Sequence, residues 1–381
     1  MQGRKSRFRT AEDLEQIVRD NRAQGIDAFF ITDDNMARNR HWEAFFDKLI
    51  ELREKEGIAV DLVIQVDTQC HKIPNFIHKA RMAGVSRVFI GLENINPDNL
   101  MAAKKRQNKI TDYRVMIQQW HKSGAYTWAG YITGFPADTK ESLLRDIEII
   151  KRELPLDILE FFFLTPLPGS EDHQTLHNKG IWMDPDLNKY DLNHRVSHHP
   201  KMSDKEWEEA YEACWKSYYT LDHIETVARR HAALPEDTPG KLPGKAVQFM
   251  MEFKTLYEAE DIHPLEGGML RLKFRTDRRP GRPRELPVLF HLRLLGQLAR
   301  KLAIYGRNAY HMWRITRMVN KNPKKLEYSD LAIAPVSADD FENLAMFHDT
   351  AGGEAAVAKK RGEDVARERV AAAAAAKARA A

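Results

Sequence analysis

This sequence predicts an α/β fold: a partial parallel, TIM-like β/α barrel followed by a mainly helical C-terminal extension. Three observations carry the prediction. Short apolar strands alternate with amphipathic helices between Asp27 and Thr165. The strand interiors are near-continuous runs of β-branched, aromatic or Leu residues, the composition of parallel strands covered on both faces. Polar residues gather at the C-terminal ends of the strands, where β/α barrels build their sites.

The predicted strands are DAFFITDD (Asp27 to Asp34), VDLVIQVD (Val60 to Asp67), SRVFIGLE (Ser86 to Glu93), YTWAGYITG (Tyr126 to Gly134) and DILEFFFLT (Asp157 to Thr165). The helices between them make right-handed crossovers the expectation. Thr10, with Asp13 three residues on, opens a helix from Thr10 to Gln24 that has no strand before it, so the series starts one unit late. Asn96-Pro97-Asp98 and Pro136-Ala137-Asp138-Thr139 open two later helices. Gly25, Gly57, Gly84 and Gly124 each stand where a left-handed cap would end a helix before a strand.

On this reading residues 1–170 are the barrel core. Residues 171–233 are a polar loop and one long Trp- and Tyr-rich helix, Ser203 to Ala233, packed on the barrel. Residues 234–351 are a basic extension with a linker from Leu234 to Gly244 and a helix from Pro287 to Val319. Residues 352–381 are Ala, Lys, Arg and Glu with almost no large apolar side chain, and are expected to be disordered.

The chain has 381 residues, 43% hydrophobic and 30% charged, with a net charge of +4, which names no partner. Its two cysteines, Cys70 and Cys214, exclude a disulfide framework and suggest a reducing, cytoplasmic setting. They also exclude a metal cluster held by three or four thiolates of this chain. No apolar stretch reaches the roughly 18–20 residues of a membrane span, and MQGRKSRFRT lacks the apolar region of a signal peptide.

Four strand-end constellations could carry chemistry. Thr32-Asp33-Asp34-Asn35 ends the first strand, and its carboxylates suit an ammonium group or a metal, or cap the segment beginning near Asn39. Gly91-Leu92-Glu93-Asn94 ends the third, with Lys104, Lys105 and Arg106 following; a carboxylate beside cations suits a zwitterion, and a solvated charge run is the plainer reading. Gly130-Tyr131-Ile132-Thr133-Gly134 places glycines in a strand, where a ligand or another backbone comes close. Leu164-Thr165-Pro166-Leu167-Pro168 is a rigid exit that presents backbone groups to a flat ring or simply leaves the sheet.

Weaker signals lie outside these four. His173 and His177 have the spacing of a helical metal pair, with His194, His198 and His199 nearby, but no HExxH context supports zinc. Asp261-Ile262-His263 through Gly267 has one residue too many for a cobalamin-ligand motif. Arg271 to Arg284 is basic around Gly281-Arg282-Pro283 and reads better as a solvated linker than as a minor-groove hook. The helix after it alternates apolar residues with Arg and Lys. It suits either a membrane surface or packing against the barrel.

Taken in order, the four strand-end motifs resemble the radical S-adenosylmethionine superfamily, and particularly its cobalamin-binding-domain branch. The resemblance covers about residues 1–230. It implies S-adenosylmethionine as cofactor: Asp33 and Asp34 matching the motif that holds the methionine amino group, Glu93 and Asn94 the carboxylate and ribose, Gly130, Ile132 and Gly134 the adenine, and Leu164, Thr165 and Pro166 the rest of the adenine pocket. It also implies a 4Fe–4S cluster, cobalamin in a full-length enzyme, and radical or methyl-transfer chemistry on a lipid, pigment or tetrapyrrole-like substrate. The family's Cys-x-x-x-Cys-x-x-Cys cluster loop is absent from this chain, and Gln2 to Arg9 looks like the segment that would follow it. The expectation is therefore the C-terminal part of such an enzyme, or a degenerate product, inactive by itself. No nucleic-acid partner is expected. The rival reading is a non-catalytic degenerate barrel binding nucleic acid or anionic lipid through Arg278, Arg279, Arg282 and Arg284.

Overall fold

The computed structural model describes residues 8–102, 108–260, 287–321 and 328–380. Thr10 caps α1 (Ala11–Arg22) in a reciprocal box: its hydroxyl accepts from Asp13 N at 3.2 Å and the Asp13 carboxylate accepts from Thr10 N at 3.0 Å. Then come β1 (Ala28–Phe30), α2 (Trp42–Glu56), β2 (Asp61–Val66), α3 (Phe76–Ala83) and β3 (Val85–Glu93). Two helices, α4 (Pro97–Ala102) and α5 (Ile110–Ser123), precede β4 (Tyr126–Thr133), and α6 (Lys140–Glu153) precedes β5 (Ile158–Phe163). All four neighbouring strand pairs are parallel, in the order β1-β2-β3-β4-β5. Sequential order with a single direction is the wall of a barrel, here curled into half of one. All five predicted strands are present, and Gly25, Gly57, Gly84 and Gly124 all have positive φ. At Gly84 a Cβ would meet Val60 O at 2.2 Å, so no side chain fits where α3 turns into β3.

The two faces of the sheet differ. Val88, Ile90, Leu92, Ala129, Tyr131, Leu159, Phe161 and Phe163 are buried on the face covered by helices. Each such burial contributes about 1.5–3 kcal/mol for a large side chain. Phe89, Trp128, Glu160 and Phe162 alternate with them and lie on the opposite face, with Trp128 Nε1 donating to Glu160 Oε2 at 2.9 Å.

After β5 the chain forms α7 (Glu171–Asn178) and α8 (Asp204–Tyr218). The latter lies against α6 and β5, stacking Tyr211 on Phe163 at 4.2 Å and setting Trp215 edge-on to Phe161 at 5.3 Å. The single helix expected from Ser203 to Ala233 is two, because Thr220 starts α9 (Leu221–Ala232) by accepting from His223 N at 3.3 Å. The expected linker from Leu234 leads to a helix the sequence reading did not single out, α10 (Pro243–Glu260), and then to α11 (Pro287–Lys321). Short helices α12 (Asp340–Asn343) and α13 (Ala345–His348) precede α14 (Gly353–Ala380).

The tail was expected to be disordered for want of an apolar face, and α14 corrects this. Val357 is buried, and Lys109 Nζ pairs with Glu363 at 2.6 Å, so the first turns of the helix have a partner.

The chain divides into two compact units. One comprises Met1–Tyr218, Leu234–Lys241 and Ser329–Ala381. The other, Tyr219–Ala233 with Leu242–Tyr328, packs α11 on α9 and α10. Its Asn308 amide donates to Thr255 Oγ1 at 3.1 Å and Glu258 Oε2 at 2.9 Å. The returning segment of the first unit is fastened by buried charges. Arg114 on α5 donates to Leu331 O, to Ala334 O at 2.6 Å and to the Asp340 carboxylate. Glu153, fully buried at the end of α6, accepts from Ala345 N and Met346 N at 2.9 Å each. Among the described residues no helix is long and apolar enough to cross a membrane.

Candidate functional site

The polar strand ends meet along one rim of the half-barrel, but they are used differently. After β1, Asp33 folds its own loop: Oδ1 accepts from Asn35 N at 3.1 Å and Oδ2 from the Asn39 amide at 2.6 Å. These bonds hold the loop and are not the helix cap of the plainer reading, since α2 starts after His41 without a side-chain cap. Asp34, beside it, is exposed. The β1 and β2 ends are tied together by Asp67, which sequence reasoning did not single out. Its carboxylate accepts from Arg38 Nε at 2.7 Å, Asn35 Nδ2 at 3.0 Å and Gln69 N at 2.9 Å, and Asn35 Oδ1 accepts from Asp67 N at 3.2 Å. Burial raises the Asp67 pKa, but Arg38, Asn35 and the Gln69 amide outweigh it and hold the carboxyl below its usual range. Asp67 ends its strand just as Asp33 does, so the same rule applied once more would have found it.

The end of β3 is less settled. Its pairing with β4 slips between Ile90 and Glu93, a bulge that turns the last residues of the strand. Glu93 has φ +67°, a left-handed conformation that costs a non-glycine residue of order 1 kcal/mol and clusters at functional sites. Next to it Asn94 is fully buried; its Oδ1 accepts from Asn96 N at 2.7 Å, which fixes the amide orientation and leaves Nδ2 without a hydrogen-bond partner. The surroundings are otherwise saturated. Asn108 Nδ2 donates to Gly91 O and Leu92 O at 2.8 and 3.0 Å, and the Tyr113 hydroxyl lies 3.2 Å from both Leu92 O and Asn94 O. Trp120 Nε1 and Trp207 Nε1 are also buried without a hydrogen-bond partner; the Asn94 amide differs from them in lying at a strand end on the rim.

In β4, Gly130 sits beneath two rings: a Cβ there would meet Phe162 at 3.0 Å and Phe89 at 3.2 Å. Gly134 has φ +100°, and a Cβ would meet the Trp207 indole at 2.0 Å, so its missing side chain makes room for α8. Ile132, between them, is half-buried on the side of the sheet away from the helices. Asp138 holds the turn after Gly134, accepting from Gly134 N, Phe135 N (both 2.9 Å) and the Asn99 amide (2.8 Å), so the β3 and β4 exits are braced against each other. Beyond β5, Leu164 N donates to Thr133 O at 2.9 Å, the Thr165 hydroxyl to Phe163 O at 3.0 Å, and Pro166 is buried; these three form the expected exit.

On the helix side of β4, the Tyr131 hydroxyl donates to Asp146 Oδ2 at 3.1 Å, and burial pushes the Asp146 carboxyl up to about 7.

His173 packs edge-on to Tyr190, His194 lies 2.8 Å from Asp191 and His198 lies 2.8 Å from Asp204. His199 is buried, its Nδ1 accepting from Met202 N at 2.9 Å, so its Nε2 donates to Phe135 O at 2.9 Å. Lys104, Lys105, Arg106, the Asp261–Gly267 motif and the Arg271–Arg284 stretch lie outside the described residues.

No family model matches the chain. A bacteriochlorophyllide d C-12(1)-methyltransferase of Chlorobaculum tepidum is 26% identical over 172 residues, 44% of this chain and 35% of that protein. A hopanoid C-2 methylase of Rhodopseudomonas palustris is 25% identical over 203 residues, 51% of this chain and 37% of that protein. Among solved structures, a radical S-adenosylmethionine methyltransferase, TsrM, from Kitasatospora setae with cobalamin and a [4Fe-4S] cluster bound matches at 18% identity and a TM-score of 0.35, over 41% of this chain and 30% of that one. By name the curated relatives are a methyltransferase and a methylase, the kind of reaction that the resemblance carried by the strand-end motifs implies. The match spans about a third of the length of the curated relatives.

The implied cofactors fit unequally. The orphaned Asn94 amide, beside the strained Glu93 on a barrel rim, fits a ligand with acceptor atoms such as S-adenosylmethionine. The cluster does not fit residues of this chain. Cys70 and Cys214 are its only thiols; burial pushes the first up to about 12 and the second well above the usual thiol range.

Proposed function

We propose that the half-barrel is the S-adenosylmethionine-binding part of a methyltransferase whose substrate is apolar and ring-bearing, a tetrapyrrole pigment or a polycyclic lipid. The observation that carries the reading is the β3 end, where strain and an unsatisfied buried donor coincide on the rim that barrels use for ligands. In this reading Asn94 Nδ2 donates to an acceptor oxygen of the cofactor, and Glu93 accepts from its ribose or ammonium group. Asp34, exposed beside the folded Asp33 loop, takes the methionine ammonium. Ile132 offers its half-buried face to adenine, Gly130 lets the Phe89 and Phe162 rings lie close on the strand beside it, and Leu164 to Pro166 close the site from β5. When bound, S-adenosylmethionine supplies a methyl group activated by the sulfonium charge. The chain's share is to hold and orient it and to keep water away, while Phe89, Trp128 and Phe162 present an aromatic surface to the substrate. The names of the curated relatives support the substrate class, since one acts on bacteriochlorophyllide d and the other on hopanoids.

The test is calorimetric titration of S-adenosylmethionine into the protein. Saturable binding that weakens at least roughly ten-fold in Asn94→Ala, equivalent to about 1.4 kcal/mol, is expected. Absence of binding by the wild-type protein, or binding indifferent to this substitution, overturns the reading.

A further inference from the structure

We propose that α11 docks the protein on the surface of a membrane rich in anionic lipids, with its apolar stripe in the headgroup boundary. The stripe is built into the helix period. Val288, Leu292, Leu295, Leu302, Tyr310 and Trp313 are each more than half exposed, and at 100° per residue they fall within about 80° of one another. They run some 38 Å along the helix, about 1.5 Å per residue over the span from Val288 to Trp313. The helix's buried residues, Asn308, Ile315 and Val319, lie on the opposite side, packed toward α9 and α10. The exposed stripe is therefore a second apolar face, separate from the one that holds the helix in its unit. Scattered exposed leucines are ordinary; a continuous stripe of them marks an interaction surface.

Charge decides the occupant. The 35 residues of α11 carry seven Lys or Arg and no Asp or Glu. Arg293, Arg300, Arg307 and Arg314 recur every seven residues along one flank of the stripe, where Arg307 also pairs with Glu258 of α10 at 2.6 Å and Arg300 donates to Glu258 O at 3.3 Å. A helix with Leu and Trp on one face and Lys or Arg beside it, too polar overall to span, suits the plane of an anionic interface. A second copy of the chain would set two acid-free helices of this charge side by side, against their mutual repulsion. Nucleic acid would satisfy the arginines but leave the Val and Leu stripe in water. Tyr310 and Trp313, at one end, are the residue types that settle at headgroup level. The proposal is independent of the methyl-transfer reading, since it uses no residue of the barrel rim.

The experiment is flotation of the full chain with phosphatidylcholine vesicles, with and without phosphatidylglycerol, at low and high salt. Binding to the anionic vesicles only, weakened by salt, is expected. Leu292→Glu with Leu295→Glu should cut it roughly ten-fold or more, and Arg314→Gln with Arg317→Gln should weaken it at low salt alone. Should the Leu pair disturb folding, as circular dichroism would show, quenching of wild-type tryptophan fluorescence by brominated lipid reads insertion without a variant. Failure of the wild-type protein to float, no quenching, or indifference to the Leu pair overturns the proposal. So does a dimer that the Leu pair converts to monomer without any vesicle binding, or binding of DNA in place of vesicles.

Discussion

The two ends of the barrel rim contrast in what their polar groups have left to give. At β1 and β2, Asp33, Asn35, Arg38, Asn39 and Asp67 bond one another and the local backbone. At β3, Glu93 is strained and the Asn94 amide nitrogen is left over. A carboxylate at a strand end is thus no ligand by position alone; what matters is the bonding capacity that folding has not consumed. Substitutions at groups consumed by folding should cost stability and spare cofactor binding. Substitutions at the leftover groups should do the reverse.

The largest effect is expected at Asp146. Its carboxyl is raised to about 7 in the fold against an ordinary value of 3.8, so the folded state binds the extra proton between those values. Stability should therefore be full below about pH 4 and fall as pH rises through about 7, by up to about 4 kcal/mol. Asp146→Asn, which keeps an acceptor for Tyr131, should flatten the thermal-melting profile across that range. A wild-type profile already flat would deny the buried carboxyl. Next comes Gly134→Ala, expected to cost about 3 kcal/mol in denaturant unfolding, because φ is positive and Trp207 fills the space. If instead it melts normally and loses S-adenosylmethionine, Gly134 belongs to the ligand and the contrast moves to β4. Asp67→Ala should cost about 2 kcal/mol by stranding Arg38, Asn35 and Gln69 N, with cofactor affinity changed less than in Asn94→Ala. Smallest in stability is Asn94→Ala, which removes one bond and one orphan together and should stay within about 1 kcal/mol of wild type.

The fold was legible because the strands are long apolar runs and the glycines ending four helices have one backbone use. Local signals also named Glu93 and Asn94 as a pair. They could not show that Asn94 is buried with a spare donor, since that depends on Asn108 and Tyr113 closing over Leu92 from the next helix. Glu160 was legible in principle, a charge between the apolar residues of DILEFFFLT, but Trp128, which donates to it, comes from another strand. The break at Thr220 was missed because the apolar period continues through it while the cap lies in one hydroxyl. The tail misled for a related reason. Val357, an ion pair to Lys109 and Arg361 over Phe341 help to seat its first turns, and composition averages them away.

The manner in which residues 329–350 come back to α5 and α6 bears on how the protein is made. A ribosome delivers α5 and α6 long before it delivers Leu331, Ala334, Asp340 and the 345–346 amides. Until then the guanidinium of Arg114 lacks these acceptors, and the carboxylate of Glu153 has Arg152 beside it but not the two backbone amides. The barrel-bearing unit should therefore close only once residues 329–346 have left the ribosome, and a nascent chain arrested before Ser329 should be the species that chaperones hold longest.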